Sequence, residues 1–391
     1  MRIVTRPATP LPARASVVVV GGGVMGTSIL FHLAEAGVKD ALLIERGQLG
    51  QGSTRRAAGG VRAQFSDALN IEIAQRSLRA FTDFARRPGW EIDLDQVGYL
   101  FLLTRADDVL AFERNVALQG EYGVPSRMLE AADVRALNPL VETGDLLAAA
   151  FSPEDGHATP EAVVQGYASG ARTLGARIAT RCELLDVVVR GEQIRAVRTD
   201  RGEVETPIVI CCAGAWSRAV AAKVGVELPV EPLRRQILFT EPIANLPARL
   251  PMTIDFATSF YFHREGPGVL MGMSWPEEVP GFDVESTDDW IPDLLAVAER
   301  RAPKIAQAGI RGGWAGLYEN TPDHNALIGE AHGPSRFLYA TGFSGHGFLQ
   351  GPAVGEIVRD LVLDREPFVD ITPLGAERFA QGSGRPEYNV V

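Results

Sequence analysis

Apolar and polar positions alternate between two rhythms along this chain. Residues 15–20 are apolar almost throughout and end in four valines, which predicts a buried strand. Residues 27–36 then follow helical spacing, with Ile29, Leu30, Leu33 and Ala34 on one face and Gly37 as the stop. A second buried strand is predicted over 41–44. Further helices are predicted at 69–85 (apolar Ile73, Leu78, Phe81 and Phe84), at 106–122, at 160–174 behind Pro160, at 290–302 and at 352–363. Period-two stretches at 177–180, 183–190, 194–199 and 203–206 predict a small antiparallel meander. The run 98–103 reads as a strand, as do 231–240, 258–263 and 268–274, which would build a second sheet. Residues 207–212 and 337–340 read as buried strands of the first.

Strand–helix–strand signals thus come at the start, the middle and the end. This predicts an α/β fold with a discontinuous nucleotide unit (1–85, 146–222 and 310–375). An antiparallel substrate unit (86–145 and 223–309) is inserted in pieces, and 376–391 form a tail.

Composition narrows the class. The 391 residues carry a net charge of −11, which disfavours a nucleic-acid surface or an anionic membrane. No apolar run reaches the roughly 18–20 residues of a membrane span. Residues 1–15 contain no apolar core of a secretory signal, so a cytoplasmic protein is expected. Cys182, Cys211 and Cys212 read as reduced core thiols, and the six histidines show no metal-ligand spacing.

The first strand runs directly into Gly21-Gly22-Gly23-Val24-Met25-Gly26, the G-x-G-x-x-G pattern, and the second strand closes on Glu45. In that register Gly21 permits the tight turn, Gly23 lets backbone approach a pyrophosphate, and Gly26 lets helix and strand pack closely. The helix N-terminus offers N–H groups to the anion, and Glu45 can accept from a ribose. A dinucleotide ligand follows. Residues 48–66 are rich in Gly, Ser, Arg and Ala, which suits a long ligand continuing past the pyrophosphate. Residues 343–348 (FSGHGF) place glycines before a helix, where backbone amides and a helix N-terminus can meet the edge of a reducible ring.

GGGVMG, LLIER, GSTRRAAGGVR, IVICCAGAWS and GFSGHGF together resemble the D-amino acid oxidase superfamily of FAD enzymes. The resemblance covers about residues 17–363 and lies closest to the sarcosine oxidase, glycine oxidase and proline dehydrogenase β-subunit group. It implies a glutathione-reductase-like Rossmann FAD domain with an inserted antiparallel substrate domain. It also implies oxidation of the C–N bond of a small amino acid or N-alkyl amino acid by hydride transfer to flavin N5. The acceptor would be O2 or an electron-carrier partner, and a hetero-oligomer is compatible with it. The alternative in the same superfamily is an FAD-binding assembly factor or non-autonomous subunit.

Residue by residue, the resemblance places Gly21, Gly23, Val24, Met25 and Gly26 at the pyrophosphate, and Glu45 and Arg46 at the ribose. Ser53 and Thr54 fall near the phosphates, and Cys182 at the adenine. Ala213, Gly214 and Trp216 form a second backbone approach, and Gly342, Gly345, His346, Gly347, Phe348 and Leu349 the flavin edge. Arg62 matches a carboxylate-binding arginine, Tyr261 and Tyr318 active-site tyrosines, and His346 a histidine near the flavin. His263 has no family role.

Departures from the pattern matter too. Leu349 stands where monomeric sarcosine oxidases carry a carboxylate-binding lysine, and no lysine occurs between Lys223 and Lys304 to assist oxygen activation. Gly316 and Pro160 align near the positions of the covalent flavin tethers, so non-covalent FAD is expected. No buried Asp or Glu base is evident in the sequence.

Overall fold

A computed structural model describes residues 10–389. The expectation of no signal segment concerns residues 1–15, of which 1–9 lie outside the described residues.

Valine-rich strand Val18–Val20 is the centre of a six-stranded sheet. Its order is Leu327–Glu330, Phe337–Thr341, Val209–Cys211, Val18–Val20, Leu42–Glu45, Arg177–Thr180. All neighbours are parallel except Leu327–Glu330, which runs antiparallel to Phe337–Thr341. Strands buried on both faces need no polar alternation, hence the continuous apolar runs. Helices Val24–Glu35, Pro160–Thr173 and Gly347–Val362 pack together, with Ile29, Leu30, Leu33, Val163, Ala353 and Ile357 in one core. Three stretches of the predicted meander form it, as Leu184–Arg190, Gln193–Thr199 and Gly202–Glu205, but Arg177–Thr180, expected as its first strand, instead pairs in parallel with Leu42–Glu45 at the edge of the six-stranded sheet.

The second sheet has eight strands: Ile310–Asn320, Glu231–Thr240, Gly268–Gly272, Phe260–Glu265, Met252–Asp255, Tyr99–Leu103, Ala148–Ser152, Arg127–Leu129. It packs on Leu294 and Ala298 of helix Ile291–Arg301 and on Trp290 just before that helix.

Four further expectations are corrected here. Ala148–Ser152 and Ile310–Asn320 pair into the large sheet, although 146–152 and 310–320 were expected in the nucleotide unit. Each is an apolar or mixed run whose partner lies far away in sequence, so local pattern could not choose its sheet. Met252–Asp255 is a strand that no pattern indicated. The closing helix starts at Gly347, with Pro352 inside it. Proline there forfeits only one N–H bond, and the first turn is held by the Gln350 amide donating to His346 O at 3.2 Å. Finally, 376–389 is no loose tail. Arg378, Glu387 and Asn389 are buried, and Arg378 pairs with Asp323 at 2.8 Å.

Candidate active site

The turn after strand Val18–Val20 requires Gly21 to take φ +115° with its α-carbon against the Cys212 carbonyl, where no side chain fits. This turn aims helix Val24–Glu35 at a cavity of about 620 Å³ that reaches from the six-stranded sheet to the large sheet. The helix has no side-chain cap. The Val24 amide donates to Thr54 Oγ1 (3.1 Å), which ties the 48–66 loop to the helix entry. Glu45 accepts from the Gly22 amide at 2.7 Å and the Gly47 amide at 2.6 Å. Its carboxylate therefore braces the glycine turn, with one lone pair per oxygen left for a ligand. At the same end the Arg46 guanidinium stacks 3.9 Å over the Trp216 ring, and Phe282 stacks on Trp216 from the neighbouring loop. The Cys182 thiol lies buried in this wall, and burial pushes it upward from its ordinary range.

The other end is chemically different. Arg62 is 4% exposed and has no carboxylate within ion-pair distance among the described residues. Its guanidinium donates to the Gln64 carbonyl, to the Asn389 carbonyl at 2.5 Å and to His346 Nε2 at 3.2 Å. All three acceptors are neutral. Burial and the adjacent Arg62 charge hold His346 well below the usual histidine range, so the imidazole is uncharged and its Nε2 can accept. A buried guanidinium without a counter-ion is costly unless an anion joins it.

Three tyrosines wall this end, and each lies against a glycine. A Cβ on Gly345 would sit 2.6 Å from Tyr318 Cε2, and one on Gly272 2.5 Å from the Tyr261 hydroxyl; one on Gly60 would overlap the Tyr99 hydroxyl. Burial pushes all three phenols upward, so they stay protonated donors. Ile237, Met252 and Ile254 complete the wall with apolar surface.

Of the residues singled out in the sequence, most line this cavity: Gly21, Gly23, Val24, Met25, Glu45, Arg46, Ser53, Thr54, Arg62, Cys182, Ala213, Gly214, Trp216, Tyr261, Tyr318, Gly345, His346, Gly347, Phe348 and Leu349. Gly26 and Gly342 do not. Gly26 packs against the Gly21 carbonyl, and Gly342 turns the chain at φ +70° beside Thr321. His263 lies outside the cavity wall, with its Nδ1 2.8 Å from the Arg264 carbonyl and its Nε2 3.1 Å from the Ala58 carbonyl.

Sequence reasoning missed Tyr99, Arg56, Arg235 and Glu319, all on the wall. Tyr99 sits in a run that read as plain strand. Arg56 is held by the Ala315 carbonyl of the edge strand. The absence of a buried acid is also corrected. Burial raises Glu319 to about 7, against hydrogen bonds from Thr341 Oγ1 and the Gly342 and Phe343 amides. Asp155, behind Arg62, is likewise raised to about 7 although Ala63 N and Gln64 Nε2 donate to it. Among the described residues no cluster of side chains could hold a metal ion, and no helix is long and apolar enough to cross a membrane.

A glycine-turn cradle opening on a chamber of phenols and a buried arginine without a counter-ion suits a dinucleotide beside a small anionic ligand. The chain belongs to the DAO family of FAD-dependent oxidoreductases, whose pattern it matches over residues 16–361. It is 28% identical to mitochondrial sarcosine dehydrogenase of Mus musculus, over 95% of this chain and 42% of that protein. It is 29% identical to 4-methylaminobutanoate oxidase (formaldehyde-forming) of Paenarthrobacter nicotinovorans, over 97% of this chain and 47% of that protein. The chain therefore spans less than half the length of these relatives. Among solved structures, L-proline dehydrogenase from P. horikoshii superposes with a TM-score of 0.91 at 31% identity, covering 96% of this chain and all of that one. Glycine oxidase from Geobacillus kaustophilus superposes with a TM-score of 0.84 at 25% identity, covering 94% and 99%.

The residues present fit FAD. The uncapped helix and the glycine turn suit a pyrophosphate, and the Gly345–Leu349 segment brings a second helix N-terminus to the chamber.

Proposed function

We propose that this protein oxidises the C–N bond of a small amino acid or N-alkyl amino acid. The observation that carries the reading is Arg62, a buried guanidinium at the chamber wall with only neutral partners. A substrate carboxylate would supply the missing counter-charge through charge-assisted hydrogen bonds. FAD, when bound, supplies the two-electron acceptor for hydride leaving the carbon next to nitrogen.

The chain's own residues then have four tasks. Arg62 fixes the carboxylate, and with it the direction of the reacting C–H bond. Neutral His346 offers no negative charge to hold an ammonium, and the Arg62 and Arg235 guanidinium groups on the wall repel one, which favours an amine bound uncharged. The amine's lone pair then forms the C=N bond as hydride departs, leaving a cationic iminium that water hydrolyses to a carbonyl compound and an ammonium product. Tyr99, Tyr261 and Tyr318 close the chamber while offering hydroxyl donors. Gly316 stands on the cavity wall near the aligned tether position and has no side chain to bond a flavin, which supports FAD held without a covalent link. O2 or an electron-carrier partner would take the electrons from bound FAD.

The test is anaerobic titration of the purified, FAD-loaded protein with sarcosine, glycine, proline and related amines. Loss of the visible flavin band with at least one of them is expected. A band unchanged by every amine in such a panel would sink the reading and leave an assembly factor or a dependent subunit in its place.

A further inference from the structure

Strand Glu231–Thr240 carries two consecutive arginines, and successive side chains of a strand point to opposite faces. Arg234 is paired: its Nε lies 3.0 Å from Glu278 and its Nη1 3.2 Å from Asp283. Arg235 faces the cavity. Its side chain makes one hydrogen bond, from Nη1 to the Arg234 carbonyl at 3.2 Å, and its Nε is buried without a partner. Among the described residues no carboxylate comes within 4.0 Å of it, although the chain is acidic and its neighbour takes two.

The guanidinium lies 5.2 Å from the centre of the Tyr318 ring, and both it and Arg62 act electrostatically on the Tyr318 hydroxyl. Arg235 also acts on the Tyr261 hydroxyl and on His324, whose Nδ1 is a second buried polar atom without a partner. Buried donors are nearly always satisfied, and a cation left short of partners at a ligand cavity points to a ligand that supplies them.

We propose that Arg235 forms a second anion-binding position across Tyr318 from Arg62, so that the chamber takes an amino acid bearing a second acidic group. This rests on the reading of Arg62 as the carboxylate anchor. One carboxylate would meet Arg62, and the second would meet Arg235 Nε with the Tyr261 or Tyr318 hydroxyl. A bidentate guanidinium–carboxylate contact gives both affinity and direction.

The experiment uses FAD-loaded protein and non-reacting probes. The α,ω-dicarboxylates from malonate to adipate are titrated against monocarboxylates of the same carbon number, following the visible flavin spectrum and binding heat. The best diacid is expected to bind at least tenfold tighter than its monoacid partner. Arg235→Gln should abolish that difference, leave monoacid binding within about twofold, and leave FAD content, flavin spectrum and melting temperature unchanged. Equal binding of diacid and monoacid by the native protein, or a ratio unaltered in Arg235→Gln, overturns the proposal. So does a shifted flavin spectrum or lost FAD in the variant, which would assign Arg235 to the cofactor. The two readings separate cleanly. Diacid selectivity without bleaching by any amine retains this subsite and sinks the oxidation chemistry, whereas bleaching without selectivity does the reverse.

Discussion

The Tyr318 ring occupies the space that a side chain on Gly345 would need, with Cε2 2.6 Å from the position of the missing Cβ. Gly345 also holds φ +95°, where an L side chain is strained. Gly345 thus makes room for a ring on the same cavity wall that comes 27 positions earlier in the sequence. Gly345→Ala is expected to displace the ring and cost about 1–3 kcal/mol of stability. Amine-driven flavin reduction should slow by tenfold or more. Denaturant melts and anaerobic stopped-flow check both; native-like values for both would show that the ring is free to move aside.

Arg62→Ala removes the donor to Gln64, Asn389 and His346 at once. Losing the charged partner of a carboxylate costs about 2–5 kcal/mol, so KM for carboxylate substrates should rise on the order of 10²-fold. FAD should be retained. An unchanged KM would remove Arg62 from the substrate site.

Asp155 sets a pH dependence whose sign is unusual for a carboxyl group. Its folded value is raised to about 7 from 3.8, so the folded protein holds a proton that the unfolded chain releases at lower pH. The stability it contributes is full below the unfolded value and is lost as pH rises through the folded one. Between pH 4 and 8 the native protein should lose about 4 kcal/mol relative to Asp155→Asn. Urea denaturation of both proteins across that range measures the difference; parallel curves would mean that Asp155 is ionised throughout.

Glu387 fastens the C-terminal segment. Its Oε1 accepts from Ser66 Oγ at 2.7 Å and from the Asn389 amide at 2.9 Å, and its Oε2 from Asn70 Nδ2 at 3.1 Å. Glu387→Ala leaves these donors without their acceptor and should cost about 1–3 kcal/mol. It should also loosen the Asn389 carbonyl from Arg62, read as faster amide exchange of residues 384–389 and of Arg62. Exchange rates equal to those of the native protein would count against this coupling.

The nucleotide end was legible in the sequence because its physics is local. A glycine turn between an apolar strand and a helix, with an acid closing the next strand, is written within residues 18–45, and the structure places Glu45 on the amides of Gly22 and Gly47. The family motifs likewise brought Arg62, Tyr261, Tyr318 and His346 to one chamber. What no local pattern held was decided by pairings over long separations. Asp155 and Glu319 titrate near neutrality because tertiary packing buries both, and burial outweighs the hydrogen bonds they accept. Arg235 differs from Arg234 only in which face of one strand it occupies, and that face acquires meaning only when Tyr318 is laid beside it. Backbone chemistry close in sequence fixed the cradle, whereas burial and counter-charge, which depend on everything packed nearby, fixed the chamber.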